Sequence, residues 1–344
     1  MIAVLLVGGL GTRLRPLTDS CPKPLVPIAN VPFMTRRLRQ LARQQIGEAI
    51  LAVQYLAGRF REVYEPDTDV GLRVRIVEEP QPLGTAGAAR HALERRSLPP
   101  GQPVMIFNGD LLTDLDLNQM LAFHQHMGAV ATIAVAEVED PRACGVVVAD
   151  DAGRVSAFQE KPAPGSELAR TVNTGVYIID PTVLEYVPSM RFTTFERELF
   201  PELLARGLPV AAFRHSALWI DIGTVEGYLA ANAAVLEGRV QGEPLPGEQI
   251  APGIWAEALV HIDPAASLSA PIVLGRGAVV EAGARLIGPL AIGAGSRIGA
   301  GATVEQAILW ERVNVGADAV ISASALADGV AVPPGAKMTA VALG

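Results

Sequence analysis

The chain opens with an unbroken apolar run, Ile2-Ala3-Val4-Leu5-Leu6-Val7, that stops at a pair of glycines. Such a run, with no polar alternation, predicts a strand buried on both faces of a parallel sheet. Phe33, Met34, Leu38, Leu41, Ala42 and Ile46 then recur at helical spacing. Strand-like stretches at 49–55, 72–77 and 104–107 alternate with helix-like ones at 85–94 and 118–127. This β-α-β rhythm predicts a mostly parallel mixed sheet covered on both faces, an α/β Rossmann-like domain. Strands then crowd together at 130–138, 145–148, 155–159 and 172–179, as in an antiparallel or mixed extension forming the far wall of a cleft. Helices are expected at 195–205 and 225–236.

Beyond a Gly- and Pro-rich stretch ending at Pro252 the period changes. Ile262, Leu268, Leu274, Val280, Leu286, Ile292, Ile298 and Val304 stand six apart, with Gly and Ala filling most positions between them. The register slips by one near Trp310 and resumes at Val315 and Ile321, and Val332-Pro-Pro-Gly335 reads as the end of the stack. A hexad of aliphatic residues with small residues at the corners predicts a parallel β-helix. The expected organisation is a first domain at 1–240, a linker at 241–252, and a β-helix of hexapeptide repeats at 253–344.

Composition narrows the function. The 344 residues are half apolar and 19% charged, with a net charge of −8, which speaks against a general nucleic-acid binder. The two cysteines, Cys21 and Cys144, have no metal-ligand spacing and fit a reducing compartment. The first apolar run lacks a basic leader and is too short to span a bilayer, so a soluble cytoplasmic protein with no membrane partner is expected.

An acidic chain gathers cations at one loop. Gly8-Gly9-Leu10-Gly11-Thr12-Arg13-Leu14-Arg15 follows the first strand, and Pro22-Lys23-Pro24-Leu25 comes soon after. Glycines expose backbone N–H groups to phosphate oxygens, and Arg13, Arg15 and Lys23 add positive charge: the pattern of a nucleoside triphosphate site. It is neither a Walker loop, which needs Gly-Lys-Ser/Thr, nor a dinucleotide fingerprint, since Leu14 stands where the third glycine belongs. Asn108-Gly109-Asp110 ends a buried strand with a carboxylate suited to Mg2+, and Asp221, between large apolar residues, is the second candidate. Glu160-Lys161 offers an acceptor for sugar hydroxyls beside an ammonium for a phosphate, and Asn173 a two-way hydrogen-bonder. Gly84 and Thr85, in Leu83-Gly84-Thr85-Ala86-Gly87, open a helix whose backbone can pass close to a flat base.

Taken together and in this order, these motifs with Trp219-x-Asp221-Ile222-Gly223 resemble the sugar nucleotidyltransferases, most closely the mannose-1-phosphate guanylyltransferases. The resemblance covers essentially the whole chain, and several branches of the family carry a C-terminal left-handed β-helix. It implies that Gly8, Gly9, Gly11 and Thr12 hold the nucleotide, Arg13 the β and γ phosphates, and Lys23 the α phosphate. Asp110 and Asp221 would hold magnesium, while Glu160, Asn173 and the Gly145 backbone would bind the sugar, with Lys161 on its phosphate. The implied substrates are an NTP, GTP before the others, and a sugar 1-phosphate. Thymidylyl-, uridylyl- and heptose-specific relatives use close variants of the same motifs. A non-catalytic regulatory subunit is the alternative of another class, against which Arg13, Lys23, Asp110, Lys161 and Asp221 are all retained. An acyltransferase role for the β-helix would call for a catalytic histidine, and the repeats hold only His261, at their start. A homo-oligomer formed through the β-helix is expected.

Overall fold

The computed structural model describes every residue except 66–68, 95, 97, 99, 100, 241 and 243. Positions 241 and 243 of the expected linker therefore lie outside the described residues. Packing divides the chain into two compact units, Met1–Gly9 with Leu41–Trp219, and Leu10–Gln40 with Ile220–Gly344.

The first unit is built on a nine-stranded mixed sheet. Its strands are β1 (Ile2–Leu6), β2 (Glu48–Val53), β3 (Arg73–Glu78), β4 (Val104–Asn108), β5 (Ala131–Glu137), β6 (Gly145–Ala149), β7 (Val155–Glu160), β8 (Thr171–Ile179) and β9 (Val210–Arg214). β1 to β4 run parallel, β1 lying between β2 and β4 with β3 outside β2. β8 reverses the direction, pairing antiparallel with β4, β5 and β6, and β6 pairs antiparallel with β7. This is the mixed extension that the crowded strands predict. β9, parallel to β5, is a strand that the pattern did not reveal. Val4, Ile50, Ile106, Ile133, Tyr177 and Phe200 belong to one buried core.

Across both units the described residues form six α-helices: α1 (Phe33–Arg43), α2 (Ala57–Tyr64), α3 (Gly84–Leu93), α4 (Leu117–Met127), α5 (Phe200–Ala205) and α6 (Val225–Leu236). α2 escaped the sequence reading because it is short and buries only Ala57, Phe60 and Tyr64. The single helix expected at 195–205 is two pieces, a π-helical turn Phe195–Leu199 followed by α5. Pro201 has no N–H to donate to the carbonyl four residues back, so the ladder must be rearranged there.

In the second unit three parallel sheets form the left-handed β-helix. Ile262, Val280, Ile298, Val315 and Val332 stack in one column, and Leu268, Leu286, Val304, Ile321 and Met338 in another. Val280 and Ile298 pair across eighteen residues, but Ile298 and Val315 across seventeen, and the shorter coil then persists. Every shortened coil has a positive-φ residue in the same place, Gln306, Ala323 and Ala340. The slip near Trp310 is thus a lasting change of coil length. The stack also runs past Val332-Pro-Pro-Gly335, through Lys337–Thr339 and Ala342–Leu343, because those prolines occupy a corner and leave the ladder intact. At the other end Glu248–Ala251, within the expected linker, is a strand paired antiparallel with Ile254–Ala256.

The segment Leu10–Gln40 is fastened inside this unit. Its hairpin Pro27–Ile28/Val31–Pro32 accepts a hydrogen bond from Tyr228 Oη at Pro27 O (2.5 Å), and Trp310 Nε1 donates to the same Tyr228 oxygen (3.0 Å). Ala29 N donates to Asn232 Oδ1 and Asn30 Nδ2 to Ile292 O, each at 2.8 Å.

Candidate active site

Within the second unit the structure brings Gly11, Thr12, Arg13, Lys23 and Asp221 into one neighbourhood. Gly11 has φ +63°, and a Cβ there would sit 3.1 Å from Lys23 Cβ. Its carbonyl accepts from the buried Thr18 hydroxyl at 2.8 Å. Glycine is needed for both reasons, the left-handed turn and the close approach. Thr12–Leu14 then forms a 3-10 turn that presents Arg13 to solvent. Arg13 Nη2 lies 3.6 Å from Asp221 Oδ2, and Lys23 Nζ 3.5 Å from Asp221 Oδ1. The Lys23 side chain is 8% exposed, against 63% for Arg13 and 49% for Asp221. Asp221 Oδ1 also accepts the Gly223 N–H at 2.7 Å, which fixes the carboxylate. A Cβ on Gly223 would meet Arg13 Nη2 at 2.5 Å and Lys23 Nζ at 2.9 Å. Gly223, the last residue of the Trp219-x-Asp221-Ile222-Gly223 motif, leaves room for three charged groups.

The other candidates stand on the first unit. Gly8 ends the strand segment, and a Cβ there would lie 2.8 Å from Glu79 Oε1; at Gly9 it would meet nothing within 4 Å. Gly109 N donates to Leu6 O at 3.0 Å, so the turn carrying Asp110 passes directly against β1. Ligands of parallel sheets bind at such carboxyl ends. Beside it Asn108 Oδ1 is buried without a hydrogen-bond partner among the described residues. In the antiparallel part Glu160 pairs with Gly145, and a Cβ on Gly145 would lie 2.8 Å from Glu160 Oε2. Burial, then the negative charge of Glu196, pushes the Glu160 carboxyl above its ordinary pKa, with Lys161 and Arg197 opposing. Lys161 has φ +47°, donates its N–H to Cys144 O and is exposed. Asn173 and Thr85 are engaged internally. Asn173 Oδ1 accepts from Gly175 N and its Nδ2 donates to Tyr177 Oη, each at 2.8 Å, while Thr85 Oγ1 accepts from Phe195 N at 2.9 Å. What Gly84 and Thr85 can offer a ligand is therefore backbone.

Sequence reasoning passed over Glu79. It is 8% exposed, its Oε2 accepts from Leu83 N at 3.2 Å, and burial raises its pKa against that bond and the pull of His91. The signal available in the sequence is an acid directly after a strand, Arg73–Glu78, but that strand is exposed or half-buried throughout, unlike the one before Asp110.

Asp110 and Asp221 supply hard oxygen donors, and Asp221 is half-exposed between two cations. No group of three or more His, Cys, Asp or Glu that could hold a metal ion is found among the described residues.

A glycine-pinned loop holding two cations against a carboxylate is suited to neutralising phosphate charge in group transfer. The chain matches the nucleotidyl transferase family model over residues 2–238 and belongs to that family, whose members generally work with a divalent metal. It is similar to the mannose-1-phosphate guanylyltransferase of Mycobacterium tuberculosis, 37% identical over 83% of this chain and 77% of that one. It is also similar to the UTP–glucose-1-phosphate uridylyltransferase of Synechocystis, 33% identical over 92% of this chain and 84% of the relative. Among solved structures it resembles HddC from Yersinia pseudotuberculosis complexed with GMP-PN. There the TM-score is 0.57 and the identity 29%, over 67% of this chain and 97% of that one. No helix among the described residues is long and apolar enough to cross a membrane.

Proposed function

We propose that the protein transfers the guanylyl group of GTP to mannose 1-phosphate, giving GDP-mannose and pyrophosphate, in the cytoplasm. The observation that carries the chemistry is the Arg13–Lys23–Asp221 cluster, fixed by Gly11 and Gly223. An oxygen of the sugar phosphate attacks the α phosphorus in line, and the bond from that phosphorus to the β-phosphate oxygen breaks. The nucleophile is already an anion, so no strong base is required, and catalysis is positioning and charge neutralisation. The backbone of Gly8, Gly9, Gly11 and Thr12 holds the triphosphate. Arg13 takes the β and γ phosphates and the departing pyrophosphate, and Lys23 neutralises the α phosphate. Asp110 and Asp221 would hold Mg2+, which when bound neutralises phosphate charge. Gly145, Glu160 and Asn173 form the sugar side, with Lys161 on its phosphate. The transferase domain is placed at 1–240 and the β-helix at 253–344, joined by 241–252. The β-helix is proposed to carry self-association.

Glu79 favours guanine. A carboxylate accepts two hydrogen bonds side by side, and guanine offers two adjacent donors, N1–H and the exocyclic amine. Uracil and thymine offer one donor flanked by acceptors. The guanylyltransferase relatives and the GMP-PN complex support the same choice. The uridylyltransferase likeness, which spans most of the chain, keeps UTP with glucose 1-phosphate as the second reading. The test is a pyrophosphate-release screen of GTP, dTTP, UTP, CTP and ATP against mannose, glucose and N-acetylglucosamine 1-phosphates with magnesium. Turnover highest with GTP and mannose 1-phosphate is expected. A preference for UTP and glucose 1-phosphate establishes the second reading, and no turnover with any pair refutes the enzyme.

A further inference from the structure

Glu196 lies on the π-helical turn Phe195–Leu199 and uses both carboxylate oxygens. Oε1 accepts from the Tyr177 hydroxyl at 2.9 Å, and Oε2 from the Thr85 hydroxyl at 3.1 Å. Each donor is itself a link. Thr85 Oγ1 accepts the Phe195 N–H, and Tyr177 Oη accepts from Asn173, whose Oδ1 in turn holds Gly175 N. An unbroken chain of hydrogen bonds thus runs from the first turn of α3 to the middle of β8, with one carboxylate at its centre. Tyr177 is fully buried, with the Phe195 and Phe200 rings 5.1 and 5.2 Å away between centroids, so its hydroxyl has little freedom to turn elsewhere.

An ionised carboxylate can only accept, so both hydroxyls must donate to it, and this sets the direction of every other bond in the chain. Bonds to a charged acceptor are also the stronger kind. The turn that carries Glu196 is the one departure from α-helical geometry within the stretch expected to be a single helix, and π turns recur at functional sites. The same charge is felt at Glu160, where it is the second cause, after burial, of the raised carboxyl.

We propose that Glu196 is a positioning residue for the transfer reaction. Through Thr85 it fixes the backbone at the start of α3, and through Tyr177 it fixes the Asn173 amide. One side chain thereby orients the segments that hold the nucleotide and the sugar phosphate. The proposal rests on the function stated above, because it takes Gly84–Thr85 as nucleotide-side and Asn173 as sugar-side.

The test measures KM and kcat for GTP and mannose 1-phosphate, with dissociation constants from titration calorimetry and melting curves to monitor folding. Removing a bonded partner of a charged group is worth about tenfold or more in affinity. Glu196→Ala is therefore expected to raise both KM values about tenfold, with a smaller change in kcat. Tyr177→Phe cuts only the sugar-side branch and raises the KM for mannose 1-phosphate alone. Glu196→Gln can accept from Tyr177 while donating to Thr85, and recovers most of the loss. Glu196→Ala with both KM values within twofold of wild type overturns the proposal. A fall in kcat with both KM values unchanged overturns it too, since fewer folded molecules produce that result. If Glu196→Ala does not fold, Glu196→Asp, one methylene too short to reach both donors, must show the same two-sided rise, and unchanged KM values there are equally fatal. A wild-type protein that neither binds nor turns over the two substrates overturns the proposed function and this inference together. An active enzyme indifferent to Glu196 overturns the inference alone.

Discussion

Gly223→Ala separates the geometry of the charged cluster from the stability of the fold. The Gly223 backbone is outside the left-handed region, so alanine fits its dihedral angles. The added methyl would lie 2.5 Å from Arg13 Nη2, 2.7 Å from Asp221 Oδ1 and 2.9 Å from Lys23 Nζ. Ordinary non-bonded contacts begin near 3.5 Å, so the guanidinium must retreat by roughly 1 Å and the other two groups by somewhat less. All three are the ends of side chains that can swing aside, so the cost to folding is small. The cost to catalysis is large, because a displacement of about 1 Å in a positioned group can lower the rate about 100-fold, or about 2.7 kcal/mol of barrier. Pyrophosphate release under saturating substrates gives the rate, and a melting curve gives the stability. The expected result is a loss of about two orders of magnitude in kcat with the melting temperature within a few degrees of wild type. Gly58→Ala in α2, where a Cβ meets nothing within 4 Å, is the control and should melt slightly higher with full activity. Gly223→Ala within threefold of wild-type kcat would falsify the claim that the Arg13–Lys23–Asp221 arrangement is catalytic.

Glu79→Gln replaces one acceptor with a donor and should raise the KM for GTP at least about tenfold while affecting UTP less; equal effects on both would remove Glu79 from base recognition. Because burial raises the Glu79 pKa, GTP affinity should fall with decreasing pH at a higher pH than an exposed carboxylate would give. The stability term has the opposite sense. The folded protein holds the proton more tightly, so this contribution is full below the ordinary carboxyl pKa and is lost as pH rises through the raised value. The melting temperature of wild type should therefore fall relative to that of Glu79→Gln as pH rises through that window, and a difference that stays constant would refute the raised pKa. Asp221→Asn should lower kcat about 100-fold or more and raise the magnesium concentration needed for activity; full activity would take Asp221 out of the metal pair. Tyr228→Phe leaves Trp310 Nε1 without its acceptor and Pro27 O without its donor, at a cost of about 1–3 kcal/mol, and an unchanged melting curve would show that this network does not hold the loop.

Much of the molecule was legible in one dimension because its periods are local. The six-residue repeat dictates a β-helix, since every sixth side chain must point inward and only small residues fit the corners. The alternation of strand and helix dictates the parallel half of the sheet, and the order of motifs points to the chemistry. Gly11 is marked by its place in the loop, but its positive φ, a second reason for a glycine there, shows only in the structure. Other features depend on contacts between distant residues and leave no local trace. The seventeen-residue coil looks like a single slip near Trp310 until the strands are paired. Glu196 is an ordinary helix residue until folding brings Thr85 and Tyr177 to its two oxygens. Glu79 is one acid of two after a strand until burial singles it out. Gly223 gains its meaning only when Arg13 and Lys23, some two hundred residues earlier, converge on Asp221. Sequence patterning determined the elements, because they follow from residue type at short spacing, while the class of reaction came from the family resemblance carried by the ordered motifs. The tertiary structure decided which side chains are spent holding the site and which remain free to act, because that depends on partners the chain does not place nearby.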